Sequence, residues 1–168
     1  NVCTHTKHKS KIMLSIRIAA VTDIPLIREL TFAVWPQTYS NIISKTQIDY
    51  MLDMMYSQAS LQKQITEEGC TFIIAYDGKE PVGFASYNEP KPHTWKLNKI
   101  YVLQSQQGKG TGKFIINYII TEIKKLNAKA LQLQVNRHNN AKLFYEKLGF
   151  TVIDTSDLDI GNGYFMND

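Results

Sequence analysis

Cysteine is almost missing from this chain. Cys3 and Cys70 are the only two in 168 residues and stand far apart, which excludes a disulfide framework and a cysteine-based zinc site and points to a reducing, cytoplasmic compartment. Long apolar runs are missing too. No stretch approaches the roughly 18 residues that a membrane span needs, and the first residues carry no signal-peptide apolar region, so no membrane partner is expected. Acidic residues are absent from the first twelve positions. Three of the 19 basic residues (Lys7, Lys9 and Lys11) and none of the 15 acidic ones fall there. The remainder is therefore close to neutral, which removes the electrostatic footprint of a nucleic-acid surface. His5 and His8 sit in the same polar stretch and read as solvated, so no metal is expected.

What is present is an ordinary globular composition, 43% hydrophobic and 20% charged, at a length suited to one domain with a real core. Residues 1–12 read as a leader or remnant ahead of Met13, and residues 13–168 as a single domain without repeats or linkers. Ser15–Ile18 alternates as a half-buried strand. Asp23 and Pro25 open a helix on Ile27, Leu30 and Val34 that Trp35-Pro36 is expected to interrupt. Ser44 and Gln47 have capping-box spacing, ahead of an amphipathic helix on Ile48, Met51, Leu52 and Met55. A short helix over Leu61–Glu68 stops at Gly69. Trp35, Tyr39 and the methionines either line a substrate pocket or pack a core. Thr71–Tyr76, Asp77-Gly78 and Pro81–Tyr87 read as a hairpin whose two central residues take positive φ. A turn over Asn88–His93 and a strand over Trp95–Leu103 complete an antiparallel meander.

Gln107-Gly108-Lys109-Gly110-Thr111-Gly112 stands between that strand and a helix carrying Ile115, Ile116, Ile119, Ile120, Ile123 and Leu126. A strand that passes through a glycine turn into a helix presents free N–H groups at the positive end of a helix dipole, which suits a phosphate. An ordinary glycine-rich turn is the alternative. The strand Ala130–Val135 then runs parallel to the one ending at Leu103, since the intervening helix makes a right-handed crossover. Asn139 or Asn140 caps a helix on Ala141, Phe144, Tyr145 and Leu148, which ends at Gly149. Phe150–Ile153 is expected to begin another strand, and Tyr164–Met166 to be strand-like.

Two separated pieces coincide. Gln107–Gly112 fits Gln/Arg-x-x-Gly-x-Gly/Ala, and Asn140–Phe150 fits Ala-x-x-Phe-Tyr-x-x-x-Gly-Phe. In this order the chain resembles the GNAT superfamily of acetyl-CoA-dependent N-acetyltransferases, over about Thr71 to Ile153. The strand Leu97–Val102 and the tail Asp159–Asp168 resemble the branch of PaiA-type spermidine/spermine acetyltransferases. In that branch the tail strand continues, so Asp168 is expected to be a truncated end. The resemblance implies an α/β (α+β) fold with a mixed, mostly antiparallel sheet, a central parallel pair splayed into a V, and helices on both faces.

It also implies a donor site. The turn residues Gln107, Gly108, Lys109, Gly110, Thr111 and Gly112 would hold the pyrophosphate of acetyl-CoA, with Lys113 adding charge. The backbone of Ile100, Tyr101 and Val102 would pair with the pantetheine arm, and Asn140 and Lys147 would lie near the adenine end. Tyr145 matches the tyrosine that protonates the departing sulfur in this superfamily; packing is its other reading. Many relatives carry a glutamate base on the fourth strand, where this chain has Asn98 and Lys99. Glu89, His138 and a water relay near Tyr39 are substitutes, and no base is assigned. The expected acceptor is a small primary amine, a polyamine by branch. A protein or peptide amine is the alternative, as is a non-catalytic acyl-CoA sensor, and a homodimer is compatible with the superfamily. Trp35 and Tyr39 are the candidates for acceptor recognition.

Overall fold

The computed structural model describes residues 11–168. Residues 1–10 lie outside the described residues, and with them Cys3, His5, His8 and most of the expected leader. Strand β1 (Leu14–Ile18) leads through one 3-10 turn into helix α1 (Ile24–Tyr39), followed by α2 (Lys45–Tyr56) and α3 (Gln58–Thr66). Strands β2 (Thr71–Asp77), β3 (Glu80–Lys91) and β4 (Thr94–Val102) form the meander. Helix α4 (Thr111–Lys124) then crosses to β5 (Ala130–Leu133), and α5 (Ala141–Lys147) follows. The main sheet has five strands in the order β1-β2-β3-β4-β5, all neighbours antiparallel except β4 and β5. No helix of the described residues is long and apolar enough to cross a membrane.

Both faces of this sheet are covered, which explains why β2 is apolar at every central position and does not alternate with polar residues. Phe72 and Ile74 face a cluster with Ile24, Ile27, Leu30, Trp35, Leu52 and Leu61 from α1, α2 and α3. Ile73 and Ala75 face the opposite cluster, where Ile115, Ile116, Ile119 and Ile123 supply the apolar stripe of α4. The two periods, 2 in the strand and 3.6 in the helices, fit together around one layer of backbone.

The structure corrects several local expectations. Helix α1 does not stop at Trp35-Pro36; it runs to Tyr39 with Pro36 inside it. Proline removes only one bond near a helix end. Against that loss, Trp35 is buried and packs on Tyr39 with ring centroids 4.6 Å apart, and the Ser40 N–H closes onto the Pro36 carbonyl at 3.1 Å. The β2–β3 loop is Gly78-Lys79, because Asp77 pairs with Glu80, and only Gly78 takes positive φ. Ser44 accepts the Gln47 N–H as expected, but the Gln47 amide does not reach back; it donates to the Phe165 carbonyl at 2.8 Å.

Phe150–Ser156 forms no strand. Its apolar residues do not find a sheet: Val152 and Ile153 are exposed, and among the described residues only Ser156 finds a distant backbone partner, bonding Asp168 in both directions at 2.9 Å. The chain instead forms a separate hairpin, β6 (Asp157–Gly161) with β7 (Tyr164–Asn167). That hairpin is fastened to α2: Tyr50 donates to the Ile160 carbonyl at 2.9 Å and packs against the Tyr164 ring.

Ile119 lies at the centre of the α4 stripe and has no exposed surface. Replacing it with alanine is expected to cost about 2–5 kcal/mol, read as a lower urea midpoint at unchanged slope. A loss under about 1 kcal/mol would mean that α4 is not pressed onto the sheet as described.

Candidate active site

The parallel pair sets the site. β5 pairs with β4 only from Thr94 to Leu97, at the register Leu97–Leu133, while β4 continues to Val102. From Asn98 onward, the edge of β4 that faces away from β3 therefore has no strand partner among the described residues, and a cleft of about 970 Å³ opens there.

A bulge in β4 decides which side chains enter it. Ser86 of β3 faces Lys99 and Tyr87 faces Leu97, so Asn98 is an extra residue with no partner across the ladder. An extra residue inverts the alternation of the strand. Trp95 and Leu97 before it pack on the α4 side, as do Ile100 and Val102 after it. Tyr101 turns toward α1, α2 and α3.

At one end of the cleft lies the glycine turn. A one-turn 3-10 helix (Gln104–Gln106) precedes it. The buried Gln106 side chain ties it down, accepting from the Thr111 hydroxyl and donating to Asp77, each at 3.2 Å. Gly110 is the N-cap of α4 at φ 81°, a left-handed conformation that costs an L-residue roughly 1–2 kcal/mol. The first intrahelical bond runs from the Phe114 N–H to the Gly110 carbonyl, so the amides of Thr111, Gly112 and Lys113 have no partner within the helix. Gly112 has a different reason to be glycine: a Cβ there would stand 3.1 Å from the Phe144 ring of α5. The two sequence motifs thus touch. On α5 itself, the side chain of Asn139, rather than Asn140, caps the helix by accepting the Ala141 N–H at 2.9 Å.

At the other end stands an aromatic cluster. Trp35 packs on Tyr39, on Tyr56 at 5.5 Å and on Tyr101 at 6.0 Å, and Tyr39 and Tyr101 share a hydrogen bond of 3.3 Å between hydroxyls. Burial pushes the phenols of Tyr39, Tyr56 and Tyr101 upward, so all three stay protonated through the neutral range. Lys99 is half-buried here, its ammonium 5.0 Å from the Tyr56 ring centroid, and burial brings its pKa down to about 8. Met51, Met55, Phe165 and Met166 also line this end. Met51 is itself part of the core, so core and pocket lining are the same for that side chain.

Trp35, Tyr39, Ile100, Tyr101, Val102, Gln107, Gly108, Gly110, Thr111, Gly112, Lys113, Asn140, Tyr145 and Lys147 all line this one cleft. Lys109 does not. It is exposed on the outer side of the turn, its N–H closing onto the Gln106 carbonyl at 3.2 Å. Tyr145 lies between Phe144 and Phe150, at 5.3 and 5.9 Å. Its hydroxyl makes no hydrogen bond among the described residues, and burial pushes its pKa upward. Of the substitute bases, Glu89 accepts the His93 N–H at 2.6 Å on the β3–β4 turn and does not line the cleft. His138 lines a small polar neighbour of the cleft beside Gln37 and Asn41. Sequence reasoning missed Gln106, the packing of Phe144 on Gly112, and the cleft role of Lys96. No sequence signal marks the bulge at Asn98 that turns the β4 side chains inward.

Residues 40–163 match the family model described as an acetyltransferase (GNAT) domain. A protein of Mycobacterium tuberculosis named as a probable N-acetyltransferase is 24% identical over 146 residues, 83% of this chain and 80% of its own length. The [ribosomal protein bS18]-alanine N-acetyltransferase of Haemophilus influenzae is 36% identical over 58 residues, 34% of this chain and 40% of that protein. Among solved structures, a GCN5-related N-acetyltransferase from Rhodopseudomonas palustris superimposes with a TM-score of 0.78 at 20% identity, covering 94% of this chain and 93% of its own. PaiA N-acetyltransferase from Thermoplasma acidophilum, in complex with coenzyme A, gives 0.73 at 19% identity, covering 93% and 98%. At these identities the structures show the shared fold.

The contact between Gly112 and Phe144 is testable by a double-mutant cycle. Gly112→Val should destabilise the chain strongly, and Phe144→Ala should relieve part of that loss, giving a coupling of about 0.5–3 kcal/mol. Strict additivity of the two losses in denaturant melts would show that the helices do not meet there.

Proposed function

The chain belongs to the acetyltransferase (GNAT) family, and from that premise we propose that it transfers the acetyl group of acetyl-CoA to a primary amine of a small molecule, by direct attack with both substrates bound. The observation that carries this reading is the cleft itself. It has a helix end with free amides at one side, a strand edge unpaired among the described residues along its length, and Tyr145 on its wall. The chain's residues fit the donor. The free amides of Thr111, Gly112 and Lys113 suit a pyrophosphate, with Gln107, Gly108 and Gly110 around them and the exposed Lys113 contributing charge. The free edge at Ile100, Tyr101 and Val102 suits the amide-bearing pantetheine arm, taken up like an added strand. Asn140 and Lys147, on the facing side, suit the nucleotide end.

In the reaction a bond forms between the acceptor nitrogen and the acetyl carbonyl carbon, the carbon–sulfur bond breaks, and the sulfur takes a proton. Tyr145 holds that proton. Its raised pKa keeps the phenol protonated across the neutral range, so it enters the step as the proton donor, and the proton lost by the attacking nitrogen returns to it through water. An alkyl ammonium must lose a proton before it attacks; no carboxylate of β4 is available, and the hydroxyls of Tyr39 and Tyr101 offer a path for water. Trp35 and Tyr39 form the acceptor wall, and positioning of both substrates supplies much of the rate.

The polyamine acceptor rests on the branch resemblance and on likeness of fold. Asp168 is the one acidic residue lining the cleft among the described residues, beside Lys96, Lys99, Lys113 and Lys147, which does not favour a polycation. A peptide amine is a second reading, supported by the similarity to the ribosomal-protein alanine acetyltransferase. A sensor without turnover is less well supported, because Tyr145 lines the cleft with its hydroxyl unbonded.

Acetyl-CoA at about 100-fold above its Kd should raise the melting temperature by roughly 5–10 °C, and Gly110→Asp should abolish that shift by setting a side chain and a negative charge against the phosphates. No shift for the unmodified chain would sink the donor assignment. Tyr145→Phe should lower turnover by about 100-fold in a thiol-release assay while keeping the shift; unchanged turnover would reduce Tyr145 to a packing residue.

A further inference from the structure

Four lysines line the cleft, and the donor accounts for two of them. Lys113 and Lys147 belong to α4 and α5, beside the glycine turn. Lys96 and Lys99 stand on β4, before and just after the bulge. Their charges are not equally free. Lys96 donates to the Gln134 amide oxygen at 2.7 Å, and it acts with Arg137 on the carboxylate of Asp168. Lys99 has no ion pair and no hydrogen-bonded side-chain partner among the described residues. The acidic groups that act on it are Cys70, whose thiol pKa is pushed up by burial, and Glu68, which is itself paired with Lys63 at 3.8 Å. What Lys99 has is the face of the Tyr56 ring.

A half-buried ammonium with no counter-ion is costly, and an anion bound beside it would offset that cost. The same cation repels an acceptor whose far end is also positive. That repulsion is strongest in the low-dielectric surroundings of Trp35, Tyr56 and Met51. Selectivity follows from both effects, attraction of one class and exclusion of the other.

We propose that the acceptor of this enzyme is an amine that also carries a carboxylate, and that Lys99, backed by Lys96, reads that carboxylate at the β4 end of the cleft. This rests on the transferase reading given above. Lys99 is a specificity-determining residue and takes no part in the bond changes. Free amino acids and the acidic amino termini of peptides share the chemistry that it recognises.

The test measures kcat/KM by thiol release from acetyl-CoA over matched acceptor pairs. The pairs are amino acids against their carboxamides and peptides with Asp or Glu near the amino terminus against their Asn or Gln counterparts, with spermidine alongside. The carboxylate member of at least one pair should be preferred by about 10-fold or more, the size of one charge-assisted contact. The pair that responds separates a free amino acid from a peptide. Lys99→Met should bring the ratio within that pair close to one, and Lys99→Glu should shift preference toward spermidine. Both variants should keep the thermal shift with acetyl-CoA, which shows that they fold and bind the donor. Preference for spermidine by the unmodified chain, or equal losses for both members of a pair in Lys99→Met, overturns the inference while leaving the transferase standing. Absence of any acetyl-CoA shift in the unmodified chain overturns both.

Discussion

Everything in this structure follows from where two parallel strands stop pairing. β4 and β5 share a ladder only as far as Leu97 and Leu133, and β4 then runs on to Val102 without a neighbour on that side. Backbone N–H and C=O groups need partners, so an unpaired central edge is a standing demand for something extended and amide-bearing. The covering helices keep that edge in place. α4 presses one face and α1, α2 and α3 the other, through stripes that are apolar apart from Thr31, Gln64 and Thr111.

The bulge at Asn98 works on the same strand with a different result. It leaves the backbone edge intact and exchanges the two faces of the pleat, so that Ile100 and Val102 continue the α4 side and Tyr101 joins the aromatic cluster of Trp35, Tyr39 and Tyr56. One strand thereby presents two surfaces to the cleft: a free main-chain edge, and the side chains of Lys99 and Tyr101. The glycine turn closes one end of the cleft. It is anchored from behind by the Thr111–Gln106–Asp77 chain of hydrogen bonds and from the front by the contact of Gly112 with Phe144.

Much of this was legible in the sequence because it is local. The glycine turn, the α4 stripe, the Asn139–Leu148 helix and the parallel crossover all follow from spacing over a few residues. What was not legible depends on distant partners. Proline at position 36 argued for a break, but the burial of Trp35 against residues far along the chain outweighed one lost hydrogen bond. Phe150–Ile153 is rich in strand-forming residues, yet among the described residues no second strand stands beside it. Lys99 stood out only as a residue in the place of a glutamate; the bulge shows that it enters the cleft.

The hairpin of β6 and β7 is held to α2 by the Gln47 amide on the Phe165 carbonyl and the Tyr50 hydroxyl on the Ile160 carbonyl. Both grips are on main-chain oxygens, which every amino acid has. Side chains of the hairpin add to these grips, since Tyr164 packs on Tyr50 and Ile160 and Met166 join the core beside α2. Phe165, half exposed on the cleft wall, takes no part in them except through its carbonyl, so the lining of the cleft can change at that position while the hold on α2 stays the same.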